Sequence, residues 1–113
     1  MKVVVCGGRD YTDKKALFDA LDRIHAETPF TLVLSGAAKG ADSLVVQWCM
    51  RRDVRYALFP ADWEGYGLAA GPLRNQEMLE AGPDAVIAFP GGRGTADMVA
   101  RARSVNVRVI YEG

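Results

Sequence analysis

Five short apolar runs alternate with segments of helical period, and no other feature limits the possible folds as strongly. The first run, Lys2 to Cys6, carries Val3, Val4 and Val5 without interruption. β-Branched residues with no polar alternation mark a strand covered on both faces. Gly7-Gly8 ends it, and Asp13 is a candidate N-cap for the next segment. There Ala16, Leu17, Ala20, Leu21 and Ile24 recur at helical spacing until Pro29 forbids continuation.

The same grammar repeats. Thr31 to Leu34 predicts a second strand, stopped by Ser35-Gly36, and Ala41 to Arg51 returns to helical spacing through Leu44, Val45, Trp48 and Cys49. Val54 to Phe59 is a third strand, and Pro60 to Pro72 shows no period and reads as a long ordered loop. Leu73 to Ala81 is a helix, Ala85 to Phe89 a strand, Thr95 to Ser104 a helix and Val107 to Tyr111 a last strand. Strict alternation with right-handed crossovers predicts one Rossmann-like α/β domain over residues 1–113, a three-layer α/β/α sandwich with a mostly parallel sheet of about five strands.

Composition narrows the partners. With 113 residues, half of them hydrophobic, the chain has material for one core. Fourteen basic and fourteen acidic residues cancel, so no global field favours nucleic acid or an anionic membrane, and direct nucleic-acid binding is not expected. Cys6 and Cys49 lie in apolar patterns, which suits two reduced, buried thiols. The short valine run lacks the length and cleavage-site character of a signal peptide and nothing is long enough to span a bilayer, so the expected location is cytoplasmic. His25 stands away from any cluster of metal-ligating residues and reads as a surface histidine, so neither a metal nor a cofactor is expected. Helix two is apolar on more than one stripe, with Val46 and Met50 beside Leu44, Val45, Trp48 and Cys49, which predicts a homodimer or larger assembly.

In open parallel sheets the ligand lies beyond the carboxyl ends of the strands, near the point where strand order reverses. Three unusual loops fall there. Pro90-Gly91-Gly92-Arg93-Gly94-Thr95 joins a buried strand to a helix whose first amides lack internal partners. Gly91, Gly92 and Gly94 allow backbone N–H groups to approach an anion, the helix dipole favours negative charge, and Thr95 can cap the helix or contact an oxygen. Gly7 and Gly8 serve either close packing or ligand approach, and Arg9 either binds phosphate bidentately or is solvated or carboxylate-paired. In the second loop Ser35, Gly36 and Gly40 lead to Asp42, which caps the helix or accepts from a ribose hydroxyl. Lys39 has the chemistry of a phosphate ligand, but the spacing of a P-loop is absent. Within the long loop Trp63 or Tyr66 can stack on a base or Trp63 can plug the sheet edge; Asp62 can bind a sugar, act as a general base or cap a turn. Ser35 has neither a histidine partner nor a nucleophile-elbow context.

Taken in order, Gly7-Gly8-Arg9-Asp10-Tyr11, the Ser35 to Asp42 loop, Ala61-Asp62-Trp63, Ala70-Gly71-Pro72-Leu73-Arg74-Asn75 and Phe89 to Thr95 resemble the YspA-like, cpYpsA-related branch of the SLOG superfamily. The resemblance spans nearly the whole chain and implies a Rossmann-like fold with nucleotide or nucleotide-derived ligands. More distantly the chain is similar to LOG-type phosphoribohydrolases, which cleave a nucleoside monophosphate to free base and ribose phosphate and carry a Pro-Gly-Gly-x-Gly-Thr-x-x-Glu motif with an upstream Arg-Lys pair. Arg74-Asn75 stands where that pair would, which implies a phosphate-holding or catalytic role for Arg74 and ligand contact for Asn75. The glutamate position is Met98, with Asp97 one residue early and therefore about 100° around the helix. Asp97 either complements the helix dipole or supplies the missing acid.

Two functions follow as expectations: a module that binds or senses a phosphate-bearing nucleotide-like ligand, or a phosphoribohydrolase with Arg74 on phosphate and Asp97 or Asp62 as the carboxylate. The missing glutamate favours the first.

Overall fold

The strand that reads as fully buried is the centre of the sheet. In a computed structural model that describes all 113 residues, β1 (Lys2–Cys6) pairs on one side with β2 (Leu32–Ser35) and on the other with β4 (Ala85–Ala88). β3 (Tyr56–Leu58) and β5 (Arg108–Tyr111) are the edges, the order is β3-β2-β1-β4-β5, and every pairing is parallel. The chain therefore winds outward from β1 to β3 and restarts beyond β1 at β4. That reversal places a crevice above the carboxyl ends of β1 and β4.

Side-chain alternation divides the core into two layers. Val3 and Val5 pack with α1 (Lys14–Glu27) and α2 (Ala41–Arg52), whereas Val4 and Cys6 pack with α4 (Ala70–Glu80) and α5 (Arg93–Ser104). The three valines are wholly buried, each stabilising the fold by roughly 1.5–3 kcal/mol relative to exposure. Asp13 caps α1 by accepting from the Ala16 amide at 3.1 Å. His25 is not a free surface residue: half-buried against Phe30 and Trp48, its Nδ1 accepts from the Phe30 amide at 2.8 Å and fixes the turn into β2. Cys6 and Cys49 are buried free thiols, and burial pushes both up to about 12.

Two boundaries differ from the sequence reading. Residues 60–72 are not one irregular loop: Asp62 caps the single turn α3 (Trp63–Tyr66), a 3-10 turn follows at Gly67–Ala69, and α4 starts at Ala70. Pro72 is accommodated because in the first helical turn its missing N–H removes no helix hydrogen bond. At the other glycine turn α5 begins at Arg93, so Gly92 and not Thr95 is the N-cap. On α2, Val45, Trp48 and Cys49 face the core, Val46 is half-buried and Met50 is 68% exposed. A larger exposed apolar group, Tyr66, Leu68 and Leu73, lies on the segment crossing the rim. No helix is long and apolar enough to cross a membrane.

Candidate ligand site at the switch point

The loops after β1 and β4 touch through glycine. The Gly8 amide donates to the Pro90 carbonyl at 2.8 Å, and a Cβ on Gly8 would stand 3.0 Å from the Gly91 Cα. A Cβ on Gly7 would meet that of Ala41 at 2.6 Å, and one on Gly91 would meet the Gly8 nitrogen at 2.6 Å and collide with Thr95 Oγ1. The Gly8 carbonyl accepts from Ala41 at 3.1 Å and so occupies the start of α2. Gly7, Gly8 and Gly91 are thus needed for packing of the crevice floor.

The Ser35 to Asp42 loop is closed on itself. Buried Ser35 accepts through Oγ from the Ala37 amide at 3.3 Å, and buried Asp42 accepts from the Ala38 amide at 3.1 Å, which holds Ala37 at φ 60°. Gly40 has φ +73° and lies against the carbonyls of Gly8 and Arg9, where no side chain fits. Within this loop the amides of Ala37, Ala38 and Ala41 already have acceptors, whereas those of Gly36, Lys39 and Gly40 have none within the chain. Burial raises the Asp42 carboxyl above its ordinary value, opposed by the Ala38 amide and by the charges of Arg74 and Arg9.

Arg74, in the second turn of α4, lies over Gly36, the residue after β2, in space that a Cβ there would take. Its Nη1 donates to the Gly36 carbonyl at 2.5 Å and, more weakly, to that of Phe59 at 3.4 Å, while Nε donates to Asn75 Oδ1 at 3.1 Å. Half-burial pulls the guanidinium below its ordinary value, Asp42 opposes that shift, and Arg9 adds to it. Buried Asn75 donates from Nδ2 to the Gly94 carbonyl at 3.1 Å and to Asp97 at 2.9 Å. Asp97 also accepts from Arg101 Nε at 2.8 Å. Asp97 therefore faces α4 and is engaged there, and Met98 is fully buried in the layer beneath.

The start of α5 is more open than that of α2, where the Gly8 carbonyl takes the Ala41 amide. The first helical bond is Ala96 N–H to the Gly92 carbonyl at 3.0 Å, and no side chain caps the helix. The amides of Arg93, Gly94 and Thr95 have no acceptor within the chain. A Cβ on Gly92 or Gly94 would have no neighbour within 4 Å, so no packing demand explains either glycine. On the loops and helices that border the crevice, Arg9, Lys39, Arg74 and Arg93 lack any carboxylate within 4 Å, since the ion pairs are Lys15–Asp19, Arg23–Glu112, Arg52–Asp22 and Arg101–Asp97.

Arg9 instead lies over the Trp63 ring, 5.1 Å from its centroid, and that ring rests 3.2 Å from where a Cβ on Gly71 would be. Trp63 is 44% exposed. Asp62 accepts from the Gly65 amide at 2.9 Å, the capping role. No group of three or more His, Cys, Asp or Glu side chains could hold a metal ion. Sequence reading missed Arg93, visible only as the variable position of the glycine motif, and Arg101, the partner of Asp97 one helical turn on. It also missed a groove of about 480 Å³ between α5 and the end of β5, bordered by Thr95, Ala100, Arg103 and Tyr111. Only the parallel pairing of β4 with β5 brings those residues together.

Comparison with known proteins agrees with this architecture. Residues 1–66 match the model of the YspA, cpYpsA-related SLOG family. The chain is 38% identical over 120 residues to the Gene 61 protein of Mycobacterium phage D29, covering 99% of this chain and 96% of that protein. Its fold is similar to that of DNA processing protein A (DprA) from Streptococcus pneumoniae, with a TM-score of 0.55 at 16% identity. That match covers 99% of this chain and 59% of DprA, and it bears on fold alone. Matched by the family model over residues 1–66 and nearly end to end by a relative at 38% identity, the chain belongs to the YspA, cpYpsA-related SLOG family.

Proposed function

We propose that the protein binds a nucleoside monophosphate or another nucleotide-derived phosphate in the crevice above β1 and β4, as a binding or sensing module. The observation that carries this reading is the open start of α5, where three unpaired amides stand beside two glycines that packing does not require. Gly94, in the first turn of α5, meets no packing neighbour and is no better a helix former than alanine there, and close approach of an anion to the backbone accounts for keeping it. Arg9 and Arg93, and Arg74 where it rests on the Gly36 carbonyl, are guanidinium groups without a carboxylate partner on the elements that border the crevice, suited to phosphate oxygens. Family membership supports a nucleotide-related ligand. The segment 62–69, exposed throughout and in contact with Arg9 through Trp63, is the natural element for a ligand to move.

Turnover is not part of the proposal. Met98 occupies the position of the LOG-type glutamate and is buried, Asp97 is held by Arg101 and Asn75, and Asp62 caps a turn. Loss of one acid/base group costs about 10²- to 10⁴-fold in rate. The test incubates the protein with AMP, GMP, CMP and UMP, follows free base and ribose 5-phosphate by chromatography, and measures binding by calorimetry. Binding with little or no release is expected, abolished in Gly94→Asp that stays folded by circular dichroism. Ready hydrolysis by the wild type overturns the binding-only reading, and full affinity in Gly94→Asp moves the site elsewhere.

A further inference from the structure

We infer that the planar base of the bound nucleotide lies in the groove between α5 and the end of β5, on a platform made by Tyr111 and Arg103; this rests on the phosphate reading above and adds where the rest of the ligand goes. The groove is bordered by Pro90, Gly91 and Thr95 of the phosphate turn, with Gly113 beside Pro90, so it adjoins the start of α5 and is the space next to a ligand anchored there. Its volume, about 480 Å³, falls within the range of small-molecule sites.

The walls suit a flat aromatic ring. Thr95, Ala96, Val99, Ala100 and Arg103 line it from one side of α5 at helical spacing. Ala96 and Ala100 are exposed yet carry only a methyl group, which leaves the wall low where longer side chains would close it. Across the groove Tyr111 is 59% exposed, an aromatic with little burial of its own, and the Arg103 guanidinium lies over its ring at 5.3 Å. Arg103 has no carboxylate within 4 Å. Aromatic faces and guanidinium planes are the usual stacking partners of nucleobases, and both tolerate different bases. Glu112 is pinned at the end of this wall, its amide donating to the Ala88 carbonyl at 2.9 Å and its carboxylate paired with Arg23. The platform is thereby tied to the sheet and to α1.

Calorimetry on wild type, Ala100→Leu, Tyr111→Ala and Trp63→Ala, each titrated with ribose 5-phosphate and with the four nucleoside monophosphates, tests the assignment. The wild type should bind its preferred monophosphate roughly tenfold or more tighter than ribose 5-phosphate, the share of one stacked base. Ala100→Leu, on an exposed helix face with a good helix former, should remove that advantage while leaving ribose 5-phosphate within about twofold. Tyr111→Ala should do the same, and Trp63→Ala should not. Unchanged monophosphate affinity in both groove variants overturns the assignment, as does equal loss of both probes, or loss of the base's share in Trp63→Ala alone. A wild type that binds ribose 5-phosphate but no monophosphate more tightly overturns the groove and leaves the phosphate site standing; binding of neither probe overturns both.

Discussion

Asn75 Nδ2 stands 2.9 Å from a carboxylate oxygen of Asp97 and donates to it, which ties the helix that carries Arg74 to the helix whose amides face the crevice. The chain of bonds runs from Arg101 through Asp97 and Asn75 to Arg74 and ends on the Gly36 carbonyl. It makes Asp97 a positioning residue. Asp97→Asn keeps an acceptor for Asn75 and loses the charge for Arg101, a pair about one-third exposed. Stability in urea should fall by about 1 kcal/mol or less, and nucleotide affinity should stay within a few-fold. A large loss of a measured hydrolytic rate with binding retained would instead give Asp97 a chemical role.

The glycines divide into two kinds, and alanine substitutions separate them. Gly94→Ala meets open space in a helix, so thermal unfolding should show a gain of about 0.5–1 kcal/mol, while ligand affinity drops. Gly7→Ala forces its methyl group onto Ala41 and should cost about 1–3 kcal/mol. Equal destabilisation by both would show that Gly94 is a packing residue.

Asp42 sets a pH dependence with a definite sign. Burial raises its carboxyl above the ordinary 3.8, so its contribution to stability is fully present below that value and is lost as pH rises through the higher folded value. Asp42→Asn keeps an acceptor for the Ala38 amide and cannot ionise. Its melting temperature relative to wild type should therefore rise as pH increases from below 3.8 towards neutrality. A constant difference across that range contradicts the account. The same variant removes a negative charge near Arg74 and Arg9 and should bind phosphate more tightly, by an amount that salt reduces.

The strand and helix alternation was legible because Val3 to Val5 and the helical spacing of Leu17, Leu21 and Ile24 are local patterns with local causes. The start of α4 was not, since Pro72 looks like a breaker until it is placed in a first turn. The rim loops were found by their glycines, but the division of labour among them is a tertiary matter. Gly8 and Gly91 look alike in sequence to Gly92 and Gly94, and only the contact of two loops from distant strands tells packing from opening. Asp97 was visible as a carboxylate near the motif, whereas its engagement by Asn75, 22 residues away, was not. Met98→Glu illustrates the same point: the resemblance to the LOG-type motif suggests a restored acid, but the side chain at this position is wholly buried. The substitution should therefore destabilise by several kcal/mol at neutral pH, since keeping the buried carboxyl protonated there carries its own cost.

The central claim is that the open start of α5 holds the phosphate, and backbone ¹⁵N–¹H spectra of the labelled protein titrated with a nucleoside monophosphate and with ribose 5-phosphate test it most directly. Both probes should move the amide signals of Arg93, Gly94 and Thr95 most, downfield as they acquire an anionic acceptor, with the amides of Ala37 and Ala38 shifting little because Ser35 and Asp42 already hold them. Saturable binding that leaves the Arg93 to Thr95 signals in place while shifting those of the Ser35 to Asp42 loop would contradict the account.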